Sequence, residues 1–290
     1  MTAAQLIGLA IQLSMALIIF CVALDARFSD LTFLWRRPGL LVRSLVSMLV
    51  VMPVLALALV LSFDLNHAVE VALLALALAP VPPILPNKQI KAGGESSYVV
   101  ALLTTTALVS IVYVPLVATL LGDIFHRPID VSVANVVKIV VTSMLLPVLA
   151  GMALRKVAPA VARRIDKPLS ILATGVLVAA CIPILVNEWP HMAHLVGNFS
   201  ILAMIVFALV GLAVGHWLGG PDPDERSVLA LATASRHPAV ALAIAHNAAD
   251  RPGVMAAVLM ALLVASVATM PYVKWSRARH AGAQMPHSTP

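Results

Sequence analysis

Two interruptions in otherwise apolar runs hold the residues best placed to do chemistry. The first reads Pro80-Val81-Pro82-Pro83-Ile84-Leu85-Pro86-Asn87-Lys88, the second Ser235-Arg236-His237-Pro238. Proline removes an amide donor and clashes with the turn before it. One proline kinks a helix, but Pro80, Pro82, Pro83 and Pro86 together break it. The carbonyls freed around Ala79 to Leu85 then need partners. Irregular backbone survives at membrane depth only when buried in protein or lining a wet cavity. In the second interruption, a helix starting near Asp224 carries Arg236 about 18 Å along its axis. That is near the middle of a hydrocarbon core ~30 Å thick. A guanidinium there is costly unless it meets a polar cavity or a partner. The chemistry on offer is the binding of an anion.

The candidate substrate-binding set is Arg236, His237, Asn87, Ser235, Lys88 and Thr104. His237 reads equally as a pH-sensitive gate or a hydrogen-bonded packing residue. Asn87 and Ser235 either line a cavity or satisfy the broken backbone locally. Lys88 either faces substrate or belongs to a basic loop. Thr104, Thr105, Thr106 and Ser110 are of the kind that bonds back to its own helix. Lys138 suits snorkelling, His216 an interface, and His246 and Asn247 a helix rim. Asp25, Asp30, Asp222 and Asp224 read as solvated loop charges. An ion pair from Arg236 to Glu70 or Glu95 is the structural alternative for the arginine. No metal cluster, phosphate loop, dinucleotide turn or acid–base pair at depth is present in the pattern. No catalytic residue and no enzyme activity are expected.

The elements that position these residues follow from composition. Hydrophobic residues are 61% of the chain and charged residues 11%, with a mean hydropathy of +1.00. Soluble domains carry about 25% charged residues, so this is an all-α, polytopic membrane protein. Apolar runs of bilayer length predict nine transmembrane helices, near 4–24, 40–61, 67–92, 96–121, 131–154, 168–187, 198–219, 225–249 and 253–273. The third and eighth are the interrupted ones. They run in opposite directions and each precedes a long span. That is the pattern of an inverted repeat whose discontinuous helices cross at the midplane.

Most of the 19 Lys and Arg fall in alternate loops, among them Arg36, Arg37, Arg155, Arg163 and Arg277. The positive-inside bias puts the N-terminus outside and the C-terminus in the cytoplasm. It also explains the net charge of +6 without a nucleic-acid partner. Cys21 and Cys181 sit in apolar runs and read as packing residues. Trp35, Trp189, Trp217 and Trp275 lie near span ends, as interfacial anchors do. No cleavable signal peptide is evident. A single membrane domain over 1–275 with a disordered tail over 276–290 is the expected organisation.

At these residues the chain resembles the bile acid:sodium symporter family. The likeness runs through Met15–Pro53, Leu76–Glu95, Val136–Gly151 and His237–Ala245. It implies a core of spans two to four and seven to nine (about 40–121 and 198–273). Spans one, five and six (about 4–24 and 131–187) would form a panel. Rocking of one against the other would give alternating access. The departures bear on the ion. The family's Pro-Gly-Gly becomes Pro82 and Pro83 or their neighbours, and Asn87 stands in for its asparagine. Its glutamate aligns with Ala232, its Gln-Asn pair with Arg236 and His237, and a span-two glutamine with Met48. The Ser and Thr of span four align near Val99 and Leu103, beside Thr104.

Sodium is a hard cation that wants oxygen ligands. Losing a carboxylate and gaining an arginine undoes that site, so Arg236 is expected to take the cation's electrostatic role. The expected function is secondary active transport of small organic anions, with sodium coupling weakened or absent. Three other readings stay open. One is a sodium symporter with a site rebuilt from Asn87, Thr104 and carbonyls. One is proton coupling through His237. The last is a membrane sensor of the same fold that does not transport. No cofactor is expected beyond sodium or a proton as coupling ion. The expected location is a membrane, with a bacterial inner membrane favoured by the short loops. Oligomeric state and substrate identity are not read from the sequence.

Overall fold

The computed structural model describes residues 3–124, 132–245 and 251–283. Among the described residues every regular element is helical. The first span is α1 (Ala3–Leu24). The second is α2 (Pro38–Leu45), a π-helical stretch over Val46–Val51, and α3 (Met52–Ser62). The third is split into α4 (His67–Leu78) and α5 (Leu85–Lys91). The fourth is α6 (Ser96–Ile124). The fifth is α7 (Val133–Val140), a second π-helical stretch over Val141–Leu145, and α8 (Leu146–Val157). Then come α9 (Pro159–His194) and α10 (Ser200–Leu218). The eighth span is split into α11 (Pro223–Ala234) and α12 (Pro238–Ile244), and α13 (Arg251–Ala283) is the last. Eight segments are long and apolar enough to cross a bilayer, and α4 is a shorter apolar helix. The nine-span expectation holds, with the third and eighth interrupted.

Local chemistry sets several boundaries. Pro38, Pro159, Pro223 and Pro238 each stand in a first turn, where the missing amide hydrogen is not needed. The Asn66 side chain accepts from Ala68 N to cap α4 at 2.9 Å. Asp222 accepts from Asp224 N to cap α11 at 2.9 Å. Both π-helical stretches run up to a proline, Pro53 and Pro147. Proline cannot serve the carbonyl four residues back, and the helix widens where that bond is missing.

Helix α9 is longer than the expected 168–187. Pro168, Pro183 and Pro190 lie inside it. They are spread along the helix, so each removes one bond from an otherwise intact ladder, unlike the cluster that separates α4 from α5. Its 36 residues extend about 54 Å, so the basic end with Arg163, Arg164 and Lys167 projects past the apolar layer. The expected tail from 276 is also corrected. Helix α13 continues to Ala283, because Ser276 is buried and donates to Ala92 O at 2.8 Å. Residues 284–290 lie outside the described residues.

One large apolar core draws residues from every span, including Ile19 and Val22 of α1 and Met192 of α9. Helix α1 packs along α8 and α9, where Ile18, Ala173 and Leu177 form a separate small cluster against which Cys181 packs. Helix α10 lies against α11 with backbone almost touching backbone. A Cβ added at Gly215 would stand 2.5 Å from Leu229 O, and one at Gly219 2.5 Å from Arg226 Cα. Small residues at a helix interface permit such approach.

Candidate functional site: the crossing of the interrupted helices

The two breaks meet. His237 N, in the second break, donates to Pro80 O in the first at 2.8 Å. The Arg236 guanidinium reaches further, from Nη1 to Ala79 O at 3.2 Å and from Nη2 to Met48 O at 3.0 Å. Arg236 is 2% exposed and His237 fully buried. The freed carbonyls of the first break therefore find their donors in the second. One arginine binds three pieces of the chain: the end of α4, the π-helical stretch of span two, and the link between α11 and α12.

The acceptor in span two is made by Pro53. At helical spacing the proline amide would serve Leu49 O, and at π spacing Met48 O, but it has no hydrogen to give. The Tyr113 hydroxyl of α6 donates to Leu49 O, and Arg236 donates to Met48 O. The Ser47 and Thr233 hydroxyls share a further hydrogen bond of 2.6 Å between the same stretch and α11.

The second π-helical stretch serves the other residue of the break. Ser143 Oγ donates to Ile139 O at 2.7 Å and lies 3.4 Å from His237 Nε2. Both π-helical stretches thus touch the second break, one at Arg236 and one at His237. Arg236 Nε and His237 Nδ1 are buried and without a hydrogen-bond partner among the described residues. No carboxylate pairs with Arg236 there either. Glu70 is 3.1 Å from His67, and no contact joins Arg236 to Glu95. The alternative of an internal ion pair to Glu70 or Glu95 is not what forms.

The remaining candidates sit as follows. Ser235 caps the end of α11 in extended conformation and is partly buried. Asn87 is partly buried on α5. Lys88, on the same half-helix, donates to the Thr269 hydroxyl of α13. The Thr104 hydroxyl donates to Val100 O at 2.8 Å and Ala101 O at 3.1 Å, within its own helix. Thr106 and Ser110 do likewise. Lys138 is exposed, as snorkelling requires. His216 Nδ1 meets the Tyr272 hydroxyl at 2.8 Å. Arg155 Nη1 lies 3.6 Å from Asp25. Asp224, expected as a solvated charge, instead holds His280 at 2.6 Å, because α13 extends past the apolar layer to reach it. His246 and Asn247 lie outside the described residues.

Met48 enters the sequence reading only as the position aligned with a span-two glutamine, and Tyr113, Ser143 and Thr233 do not enter it. The signal available for the first two was Pro53, which orphans carbonyls in span two. Ser143 stands four residues before Pro147 in the same way.

Interrupted helices that meet within a bundle are a feature of many membrane transporters. The model of the sodium bile acid symporter family matches residues 12–193, and the chain belongs to that family of membrane transporters. The match ends before α10, so the second break, with Arg236, lies beyond it. No curated protein matches the chain.

Proposed function

We propose that this protein is a secondary active transporter of small organic anions that works by alternating access without requiring sodium. The observation that carries this is the bonding of Arg236 to Met48 O and Ala79 O at the crossing. Main-chain carbonyls of broken helices are the ligands a hard cation would use. Here a tethered guanidinium takes them, and Ala232 offers no carboxylate. The positive charge at the crossing has no acidic partner among the described residues, so an anionic solute supplies the missing charge. Arg236 Nε remains free to donate to it.

Arg236 and His237 are sealed from solvent, so access must come by movement. In this proposal spans one, five and six, which are α1, α7 with α8, and α9, form the panel against which the crossing rocks. The N-terminus lies outside and the basic loops lie in the cytoplasm of a bacterial inner membrane.

The test is thermal unfolding of the purified protein with a panel of small carboxylates and sulfonates, each in sodium and in potassium. A ligand at 100 times its Kd stabilises by about 2.7 kcal/mol. Equal stabilisation in both salts, lost in Arg236→Gln, is the expected result. Stabilisation that needs sodium, or that survives Arg236→Gln, overturns the proposal. Uptake into vesicles then separates a transporter from a sensor that binds without turnover.

A further inference from the structure

The basic end of the bundle holds a second polar contact between distant parts of the chain. His280, near the end of α13, has both ring nitrogens engaged. Nδ1 lies 2.7 Å from Ser276 O, and Nε2 lies 2.6 Å from Asp224 Oδ1. A carbonyl oxygen only accepts, and so does an ionised carboxylate. A neutral imidazole carries one N–H, so it can serve one of these oxygens and must turn a lone pair toward the other. Only the doubly protonated ring donates to both.

The ring is also wedged against the turn between α5 and α6. A Cβ added at Gly93 would stand 2.4 Å from His280 Cγ, and Gly93 has φ +90°, which a glycine adopts without strain. One turn earlier in α13, Ser276 Oγ donates to Ala92 O at 2.8 Å. His280 therefore joins three elements: the end of α13, the start of α11, and the turn that follows α5. Helices α5 and α11 each adjoin one of the two breaks.

The other charges at this end are committed or turned away. Glu225 pairs with Arg37, and Arg226 Nε donates to Gly220 O. Asp222 caps α11, and the Arg279 guanidinium lies 4.9 Å over the Trp275 ring. Lys91 and Arg277 are exposed, and Glu95 is partly buried. Asp224 is the carboxylate in contact with the ring.

From this geometry we infer that His280 and Asp224 form a proton-dependent clamp on the basic face. The clamp is tightest when the imidazole is charged and weakens when it loses a proton. A charge-assisted hydrogen bond is about twice as strong as a neutral one. Loss of a proton leaves a lone pair facing one of the two oxygens and turns the charge-assisted contact with Asp224 into a weaker one. The clamp stands on its own contacts. Its consequence, a face that stays shut in an acidic cytoplasm and loosens as the pH rises, rests on the transport proposal above.

Hydrogen exchange of the full-length protein, corrected for the chemical rate, tests the clamp without any substrate. Residues 91–96 and 220–226 are followed at about pH 5.5 and pH 8, which bracket histidine titration. In the wild type, protection of both segments should fall by about tenfold between the two. His280→Gln and Asp224→Asn should be equally and weakly protected at both pH values. His280→Lys, with a fixed charge, should stay protected at both. Asp224→Asn keeps the main-chain bond to Asp222 and carries the test if His280→Gln does not fold. A pH dependence unchanged in either variant, or none in the wild type, overturns the clamp. A protein that fails to transport but shows this pattern retains the clamp and loses only its transport role.

Discussion

The guanidinium of Arg236 donates to the carbonyl of Met48 at 3.0 Å, and Met48 stands five residues before Pro53. The proline leaves the carbonyl without a donor, and the arginine fills the gap from the opposite end of the chain. A second arm of the same group holds Ala79 O. Replacement by alanine leaves two buried carbonyls unpaired, each costing about 1–3 kcal/mol. Lysine keeps the charge but loses the planar two-armed geometry. Arg236→Ala should therefore melt at a lower temperature than Arg236→Lys, and both below the wild type, in one detergent at one pH. A gain in stability for Arg236→Ala would mean that the burial cost of the charge exceeds the worth of its bonds.

Tyr113 and Pro53 form a compensating pair. The tyrosine hydroxyl donates to the Leu49 carbonyl that the proline cannot serve. Tyr113→Phe should destabilise by about 1–3 kcal/mol, the cost of a buried unpaired acceptor. Pro53→Ala restores an amide hydrogen to the helix. The loss from Tyr113→Phe should then be smaller in the Pro53→Ala background. A double-mutant cycle by chemical or thermal unfolding measures the coupling. Strict additivity would remove the compensation argument.

The sequence exposed the parts of this arrangement that local chemistry forces. Four prolines between Pro80 and Pro86 must break a helix, and Arg236 at bilayer depth must find acceptors. Even the need of the carbonyls near Ala79 for donors followed from the prolines. What the sequence did not disclose was which distant group would answer. Pro53 alone looked like an ordinary residue of an apolar span, and nothing near it names Tyr113 and Arg236 as the donors to the freed carbonyls. Asp224 read as solvated because nothing local announces that α13 will run far enough to set His280 against it. Thr104 bonds back to its own helix, as its residue type suggests. Pairing between distant parts of the chain is a property of packing, and single-residue chemistry marks the need for a partner without naming it.

Glu95 gives a pH-dependent test of the basic face. It sits in the turn between α5 and α6. Burial raises its carboxyl above the ordinary value of 4.5, and Arg37 opposes this while Glu225, Asp222 and Asp224 add to it. A carboxyl raised in the folded state binds its proton more tightly folded than unfolded. Its favourable contribution is complete below the ordinary value and is lost as pH climbs through the raised one. At neutral pH the ionised Glu95 is thus a burden. Glu95→Gln should raise Tm at pH 7.5 relative to the wild type, and the difference should shrink toward zero near pH 4. A difference that stays constant across that range would show that ionisation is not its source.

The last prediction concerns how α11 is seated, since α11 delivers Arg236 to the crossing. Gly211 and Gly215 of α10, and Gly219 that caps it, lie at four-residue spacing on the face that meets α11. Cβ atoms there would stand 3.0 Å from Ala234 Cα, 2.5 Å from Leu229 O and 2.5 Å from Arg226 Cα. In each case the obstacle is backbone, which cannot swing away as a long side chain can. Gly215→Ala should therefore force the helices apart and cost about 1–3 kcal/mol, as overpacking does, although alanine is the better helix former. Gly175, on α9, has no atom within 4 Å of an added Cβ. Gly175→Ala should be neutral or slightly stabilising, which controls for propensity. If both variants unfold at the wild-type temperature, the close approach of α10 and α11 does not hold α11 in place. If only Gly215→Ala falls, and its response to anions falls with it, the seating of α11 and the position of Arg236 are one structural property.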